Sequence, residues 1–320
     1  MQERSAWDRF WSYDRLSSFG TGSGAGNYGE HIAVGWRAFF ASLPARARVL
    51  DLATGNGAIA VLAIEAGDTL RVTGADLAAI KPAAFVSRGK RQLEKVRFLA
   101  NTPAEDLPLK DASFDAVVSQ YGVEYSQMDR SLPEAARVLA AGGRLRFAVH
   151  AAEGSVAANT RRAIEDANFL LDELDLPARA SACFQAILDV ERGRATGPFA
   201  QTAAQARYAA FRDGLKAVAE RTASAADVAM LSAVHTTLTD LFRERQSQDE
   251  AALQAKVGEL RAEIEAHRDR ERALLAAALS SEEVADLAQQ LAGLGLTDIV
   301  RGEQRNDGDL IGYVIEARRP

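Results

Sequence analysis

Two aspartates and a pair of glycines are the residues of this chain best placed to do chemistry. Residues 49–61 read VLDLATGNGAIAV, an apolar run that stops at Asp51 and is followed by Gly55-Asn56-Gly57. A Gly-x-Gly between a strand and a helix lets a ligand lie against main chain that a Cβ would cover. The amides that open the following helix attract negative charge. Residues 55–60, GNGAIA, also fit the dinucleotide form G-x-G-x-x-A, and a plain structural turn fits too. Asp51 weighs against a pyrophosphate, because an acid in that mouth repels phosphate. It suits a ligand that presents an ammonium group, although it also reads as a helix cap or turn former. Asp76 ends the next apolar run, 19 residues after Gly57. A carboxylate there accepts bonds from both hydroxyls of a ribose. That role serves NAD and adenosyl ligands equally, and an exposed turn residue is the bland alternative.

The elements that must position these residues follow from apolar periodicity. Strands are expected at 48–53, 71–77, 96–101, 114–122 and 144–150. Helical stretches separate them, and the one in LPEAARVLAAGG is expected to stop at Gly142-Gly143. Near-continuous apolar strands alternating with helices imply a parallel sheet covered on both faces. Residues 1–44 hold nine aromatics around the glycine-rich stretch 20–29 and read as two short helices, an N-terminal cap. Residues 45–152 form the ligand-binding α/β domain. Residues 153–280 carry no strand signal and read as a helical insertion. Within it Leu253, Val257, Leu260 and Ile264 follow 4-3-4 spacing, too short for a coiled coil but compatible with an antiparallel helical hairpin. Residues 281–320 return to α/β character. A helix capped by Ser280 or Ser281 precedes two strands that flank the turn signal Asn306-Asp307-Gly308.

Composition narrows the partners. The 320 residues are 48% apolar and 26% charged, with a formal net charge of −6. That balance is globular, and an acidic chain without a basic stripe argues against nucleic acid. The single cysteine, Cys183, excludes an internal disulfide and fits a reducing compartment. The charged, aromatic start MQERSAWDRFWSYD lacks the apolar core of a signal peptide, and no run approaches the ~18 apolar residues of a membrane helix. A cytoplasmic protein without membrane association is expected. No cluster of His, Cys or Asp has metal-ligand spacing.

VLDLATGNG, GADL, PAEDLPLKDASFD, VVSQYGVEY and AARVLAAGGRLRF resemble the successive motifs of class I S-adenosylmethionine-dependent methyltransferases, in the branch of small-molecule, quinone- and lipid-type enzymes. The resemblance covers roughly residues 45–150 and 281–320. It implies a Rossmann-like α/β fold with a seven-stranded, mostly parallel sheet whose last strand is antiparallel. It also implies S-adenosylmethionine as cofactor. Carried over by position, Ala53, Gly55 and Gly57 would lie along the methionine part and ribose, and Asp51 would face the amino group. Asp76 would hold the ribose hydroxyls and Leu77 would pack on the adenine. Ala104 and Glu105 would border the adenine edge, and Gln120 and Tyr121 would line the floor beneath the methyl donor. Pro103 stands where the family often has an aspartate, which leaves Asn101, Thr102 or Glu105 to receive the adenine amine.

The reaction so implied is methyl transfer to a small organic acceptor by in-line displacement. Such chemistry belongs mostly to the cofactor, and positioning can supply ~7–11 kcal/mol. His150, at the rim end of the fifth strand, is the one candidate general base, against the alternative of a satisfied rim histidine. His31 has a similar standing near the glycine-rich stretch. His235 and His267 read as structural. The insertion emerges at the rim and is expected to act as an acceptor lid, with Tyr28 and residues 20–29 closing on the cofactor. A homodimer through the insertion is the competing role. Competing functions are an NAD(P)-dependent oxidoreductase and a non-catalytic, methyltransferase-like binding protein.

Overall fold

A computed structural model describes residues 2–18, 26–67, 69–225 and 228–320. The expected lid segment at 20–29 thus lies in part outside the described residues. Two compact units are present. One comprises residues 1–158 and 273–320, the other residues 159–272.

The first unit opens with α1 (Gln2–Trp11) and α2 (Glu30–Ala41). There follow β1 (Arg48–Leu52), α3 (Ala58–Ala66), β2 (Arg71–Ala75), the single turns α4 (Pro82–Phe85) and α5 (Lys90–Leu93), β3 (Arg97–Leu99) and β4 (Phe114–Gln120). A 3₁₀ turn (Val123–Tyr125), α6 (Met128–Val138) and β5 (Leu139–His150) complete its first part, and α7 (Ser155–Asn168) leads out of it. The chain continues through a π turn (Phe169–Glu173), α8 (Leu176–Glu191), α9 (Pro198–Thr222), α10 (Val228–Glu244) and α11 (Glu250–Ala277). It returns with α12 (Ser281–Gly293), β6 (Thr297–Asn306) and β7 (Asp309–Arg318).

The seven strands form one sheet in the order β3-β2-β1-β4-β5-β7-β6. The first five pair in parallel, and β7 runs antiparallel to both β5 and β6. The two-residue period of a strand divides the core between the faces. Val49, Ala116, Val118 and Ala148 join a cluster with α2 and α3, around Trp36, Phe40 and Ile59. Leu50, Val117, Phe147 and Val149 join a second cluster with α6 and α12, around Leu132, Leu287 and Leu291. Every residue from Ala58 to Ile64 of α3 is buried, as a helix apolar all round requires.

The strands lie at the expected places, with sharper ends. β1 stops at Leu52 because Ala53 turns left-handed (φ 51°), and β4 stops at Gln120 because Tyr121 does the same (φ 55°). The helix expected to run to Gly142-Gly143 ends instead at Val138, and β5 begins at once. Arg319 explains the early stop: its guanidinium donates to the carbonyls of Ala136 at 2.7 Å and Arg137 at 3.3 Å, taking the place of a glycine cap. The terminal hairpin turns through Asp307 (φ 48°) and Gly308 (φ 91°), the paired left-handed residues of a two-residue loop.

Ser280 caps α12. Its hydroxyl accepts from the Glu283 amide at 3.2 Å, while the Glu283 carboxylate accepts from the Ser280 amide at 2.7 Å. Ser280→Ala is expected to lower the unfolding free energy by about 1 kcal/mol, read as a lower urea midpoint at unchanged slope.

The second unit has a core of its own, built from Phe184, Phe211, Leu231, Val234, Leu238 and Leu241. A simple helical hairpin was too small an expectation, because α8 to α11 all contribute to this core. Leu253, Val257 and Ile264 of the 4-3-4 stripe are buried in it, with Leu260 packed against it. The stripe is therefore spent inside the chain and offers no seam to a second copy. No described helix is long and apolar enough to cross a membrane.

Candidate active site

The carboxyl ends of β1, β2 and β4 meet at the middle of the sheet, where open α/β sheets place their ligands. After β1 the backbone passes through three left-handed residues, Ala53, Gly55 (φ 53°) and Gly57 (φ 85°), before α3 begins. Asp76 fastens this loop. One of its carboxylate oxygens accepts the Gly55 amide at 2.7 Å and the other accepts the Ala78 amide at 2.8 Å. Burial pushes its carboxyl up to about 6, against those two amides, which pull it down. Asp51 lies deeper, 1% exposed, and accepts the Thr54 hydroxyl at 2.5 Å. Burial pushes its carboxyl up to about 7.

Beside Asp76 is a cavity of about 290 Å³. Leu52 at the end of β1 and Ala53 after it line it, with Ala75 at the end of β2, residues 76–78 after it, and Thr102, Ala104 and Glu105 after β3. Tyr121, Gly122, Tyr125 and Ser126 after β4 continue the wall, Trp7 and Trp11 of α1 close it, and Ala273 borders it. Ala53, Asp76, Leu77, Ala104, Glu105 and Tyr121 are thus brought together on one cavity wall. Of the three substitutes for an adenine-binding aspartate, Thr102 and Glu105 are on the cavity wall and Asn101 is not.

The remaining site residues lie off this wall. The bare face of Gly55 is covered by Trp11: a Cβ there would come within 2.5 Å of indole Cζ2. Gly57 faces Leu93 and Phe98, at 2.8 and 3.0 Å from such a Cβ, so helix packing and its positive φ account for it. Gln120 is buried and accepts the Trp36 indole N–H at 2.5 Å. Tyr28 is buried with its hydroxyl 3.0 Å from Ser18 Oγ, and burial pushes that hydroxyl up to about 12. His150 is buried behind Tyr121, with ring centroids 4.1 Å apart. Its Nδ1 is 2.9 Å from Glu124 Oε1, which also accepts the His150 amide at 3.0 Å. A buried imidazole so held is well oriented but lies behind the cavity wall. His31 is half-buried on α2, and His235 and His267 belong to the helical unit.

Glu124 and Tyr125, which the sequence offers either as acceptor-pocket residues or as the lead into a helix, divide: Tyr125 is on the cavity wall and Glu124 is buried against His150, while Trp7 and Trp11 were not singled out as site residues. The two tryptophans stand four apart and so share a helix face, a signal that was available. Glu124 and His150 are 26 residues apart, and nothing local marks their pairing.

Residues 49–143 match the family model of a methyltransferase domain. A demethylmenaquinone methyltransferase of Thermus thermophilus is 41% identical over 101 residues, covering 31% of this chain and 44% of that protein. A malonyl-[acyl-carrier protein] O-methyltransferase of Geobacter sulfurreducens is 34% identical over 134 residues, covering 39% and 49%. The ubiquinone/menaquinone biosynthesis C-methyltransferase UbiE of Methylobacterium nodulans is 41% identical over 100 residues, covering 30% and 39%. The chain spans less than half the length of each of these relatives. Over residues 49–143 the chain is thus similar to class I S-adenosylmethionine-dependent methyltransferases.

Proposed function

We propose that the protein binds S-adenosylmethionine in the cavity beside Asp76 and transfers its methyl group to a small organic acceptor by in-line displacement. The observation that carries this reading is the Asp76 carboxylate, fixed by two backbone amides on the wall of a cavity otherwise lined mostly by apolar and aromatic groups. Each oxygen uses one lone pair on an amide and keeps another for a ribose hydroxyl. Leu77 and Ala104 offer an apolar surface to a purine, and the carboxylates of Asp76 and Glu105 on the wall suit a cationic ligand. The residues present therefore fit the cofactor. When bound, it supplies the activated methyl on a sulfonium centre. The chain's own residues bind and orient. Asp76 fixes the nucleoside, Trp7, Trp11 and Tyr125 exclude water, and Tyr121 bounds the end towards β4. Glu124 holds the His150 imidazole against the back of the Tyr121 ring, outside the cavity. Small-molecule acceptors are supported by the quinone methyltransferases among the relatives.

Trp7 and Trp11 make the proposal testable without knowing the acceptor. They line the cavity, whereas Trp36, the third tryptophan, is fully buried in the sheet's first core. Titration with S-adenosylhomocysteine is expected to change tryptophan emission, and NAD at the same concentration is expected to leave it unchanged. Trp36→Phe should keep the change, and Trp7→Phe/Trp11→Phe should lose it. A response to NAD and none to S-adenosylhomocysteine would replace methyl transfer with the oxidoreductase reading.

A further inference from the structure

We propose that Gln304 and Gly312 of the terminal hairpin are positioning residues for methyl transfer, because together they seat Tyr121 at the end of the cavity. The inference rests on the cofactor reading above. His150, Gly312 and Gln304 lie opposite one another on β5, β7 and β6, forming one row across three strands. The Tyr121 ring lies along this row. It stacks on His150, passes over Gly312 and ends with its hydroxyl donating to Gln304 Oε1 at 2.5 Å. A Cβ at position 312 would come within 2.6 Å of the Val149 carbonyl oxygen, 2.8 Å of Tyr121 Cε1 and 2.9 Å of its hydroxyl, so this strand glycine makes room for both the neighbouring strand and the ring.

Gln304 is placed there by an irregularity of the edge strand. Of the described residues of β6 it alone is buried, and the strand's register shifts between Gln304 and Arg305. A bulge at such a point re-aims a side chain. Oε1 also accepts the Gln120 amide at 3.1 Å, so both of its lone pairs are taken. Tyr121 in turn has a left-handed backbone that a bulky residue holds only when its surroundings fix it.

The sheet order says which end of the ligand this seat controls. Asp76 follows β2, Tyr121 follows β4, and β1 with Ala53 lies between them. A ribose on Asp76 leaves the purine the residues after β3 and directs the amino-acid arm past Ala53 to Tyr121. The hairpin therefore sets the wall beside the sulfonium end, and the adenosine end is independent of it.

Calorimetry with two ligands tests this. S-adenosylhomocysteine carries the amino-acid arm and 5′-methylthioadenosine does not. Gln304→Leu is expected to weaken the first by about tenfold, the size of a lost buried acceptor, and to leave the second unchanged. In a Tyr121→Phe background the same substitution should add little, since coupled residues are not additive. Gln304→Met, which keeps most of the side-chain volume and removes the amide acceptor, should show the same selective loss and serves if Gln304→Leu does not fold. Equal weakening of both ligands, unchanged binding of the first, or additive losses in the double variant would each overturn the proposal. If the unaltered protein binds neither ligand, the cofactor reading itself falls and takes this one with it.

Discussion

Asp76→Ala is expected to weaken S-adenosylhomocysteine binding by roughly 10- to 150-fold, the equivalent of the ~1.5–3 kcal/mol of a hydrogen bond to a charged group. The carboxylate has two duties, and the substitution removes both. It is the polar group on the cavity wall best placed for ribose hydroxyls, and it is the acceptor of the Gly55 and Ala78 amides. Losing it leaves two donors in a buried loop, which costs stability as well as affinity. Asp76→Asn tests the charge and the second oxygen at constant volume. It keeps the volume but offers one acceptor oxygen and turns an NH₂ towards the other amide, so it should recover little of the loss. Isothermal calorimetry reads the affinity and a denaturant midpoint reads the loop. An unchanged dissociation constant for Asp76→Ala would move the nucleoside away from β2.

Asp51→Asn should stabilise the ligand-free protein above pH 7, with an upper bound of about 4 kcal/mol. Burial raises the Asp51 carboxyl from 3.8 to about 7 in the folded state. The folded state therefore holds a proton that the unfolded state has already released between these values. Stability must then fall as pH rises through that window. This contribution costs nothing below pH ~4 and is complete above pH ~7, at ~1.4 kcal/mol per unit. Asparagine resembles the protonated acid, and its amide oxygen can still accept the Thr54 hydroxyl. Other carboxylates, such as Asp115 beside Arg48, have lowered values and slope the opposite way. The difference between wild type and variant isolates Asp51. Urea denaturation at pH 5, 6, 7 and 8 should show that difference growing from pH 5 to 7 and levelling off by pH 8, and a constant difference would reject it. A ligand with an ammonium group near Asp51 should offset the cost, so S-adenosylhomocysteine should stabilise wild type more at pH 8 than at pH 5.5.

The sheet was legible because its strands are apolar on both faces, and the run that ends before Asp76 leads to the cavity wall, whereas Asp51 lies deeper. Asp76 was found by type and spacing, since few groups other than a carboxylate can satisfy two main-chain amides and still accept from a ligand. The glycines were less informative. A glycine tells that something comes close without telling what: Gly55 faces an indole, and Gly57 faces Leu93 and Phe98. The aromatic wall was legible only as a segment, because nine aromatics in residues 1–44 read as a cap without showing that Trp7 and Trp11 are the two that line the cavity. The stripe at 253–264 had the right period for a seam, but period cannot say whether the partner helix comes from the same chain. The early end of α6 depends on Arg319, about 180 residues away, which no local rule includes.

The outermost strand, β6, has a further consequence. A long straight edge would invite another molecule to add its own strand, the first step of aggregation. Here the register breaks twice, between Thr297 and Val300 and again at Gln304, and Arg301, Glu303 and Arg305 project from the exposed stretch between and beyond. The kink that turns Gln304 inwards thus also spoils the edge as a template. A protein whose last strand was straightened would face both a misplaced tyrosine and a tendency to precipitate.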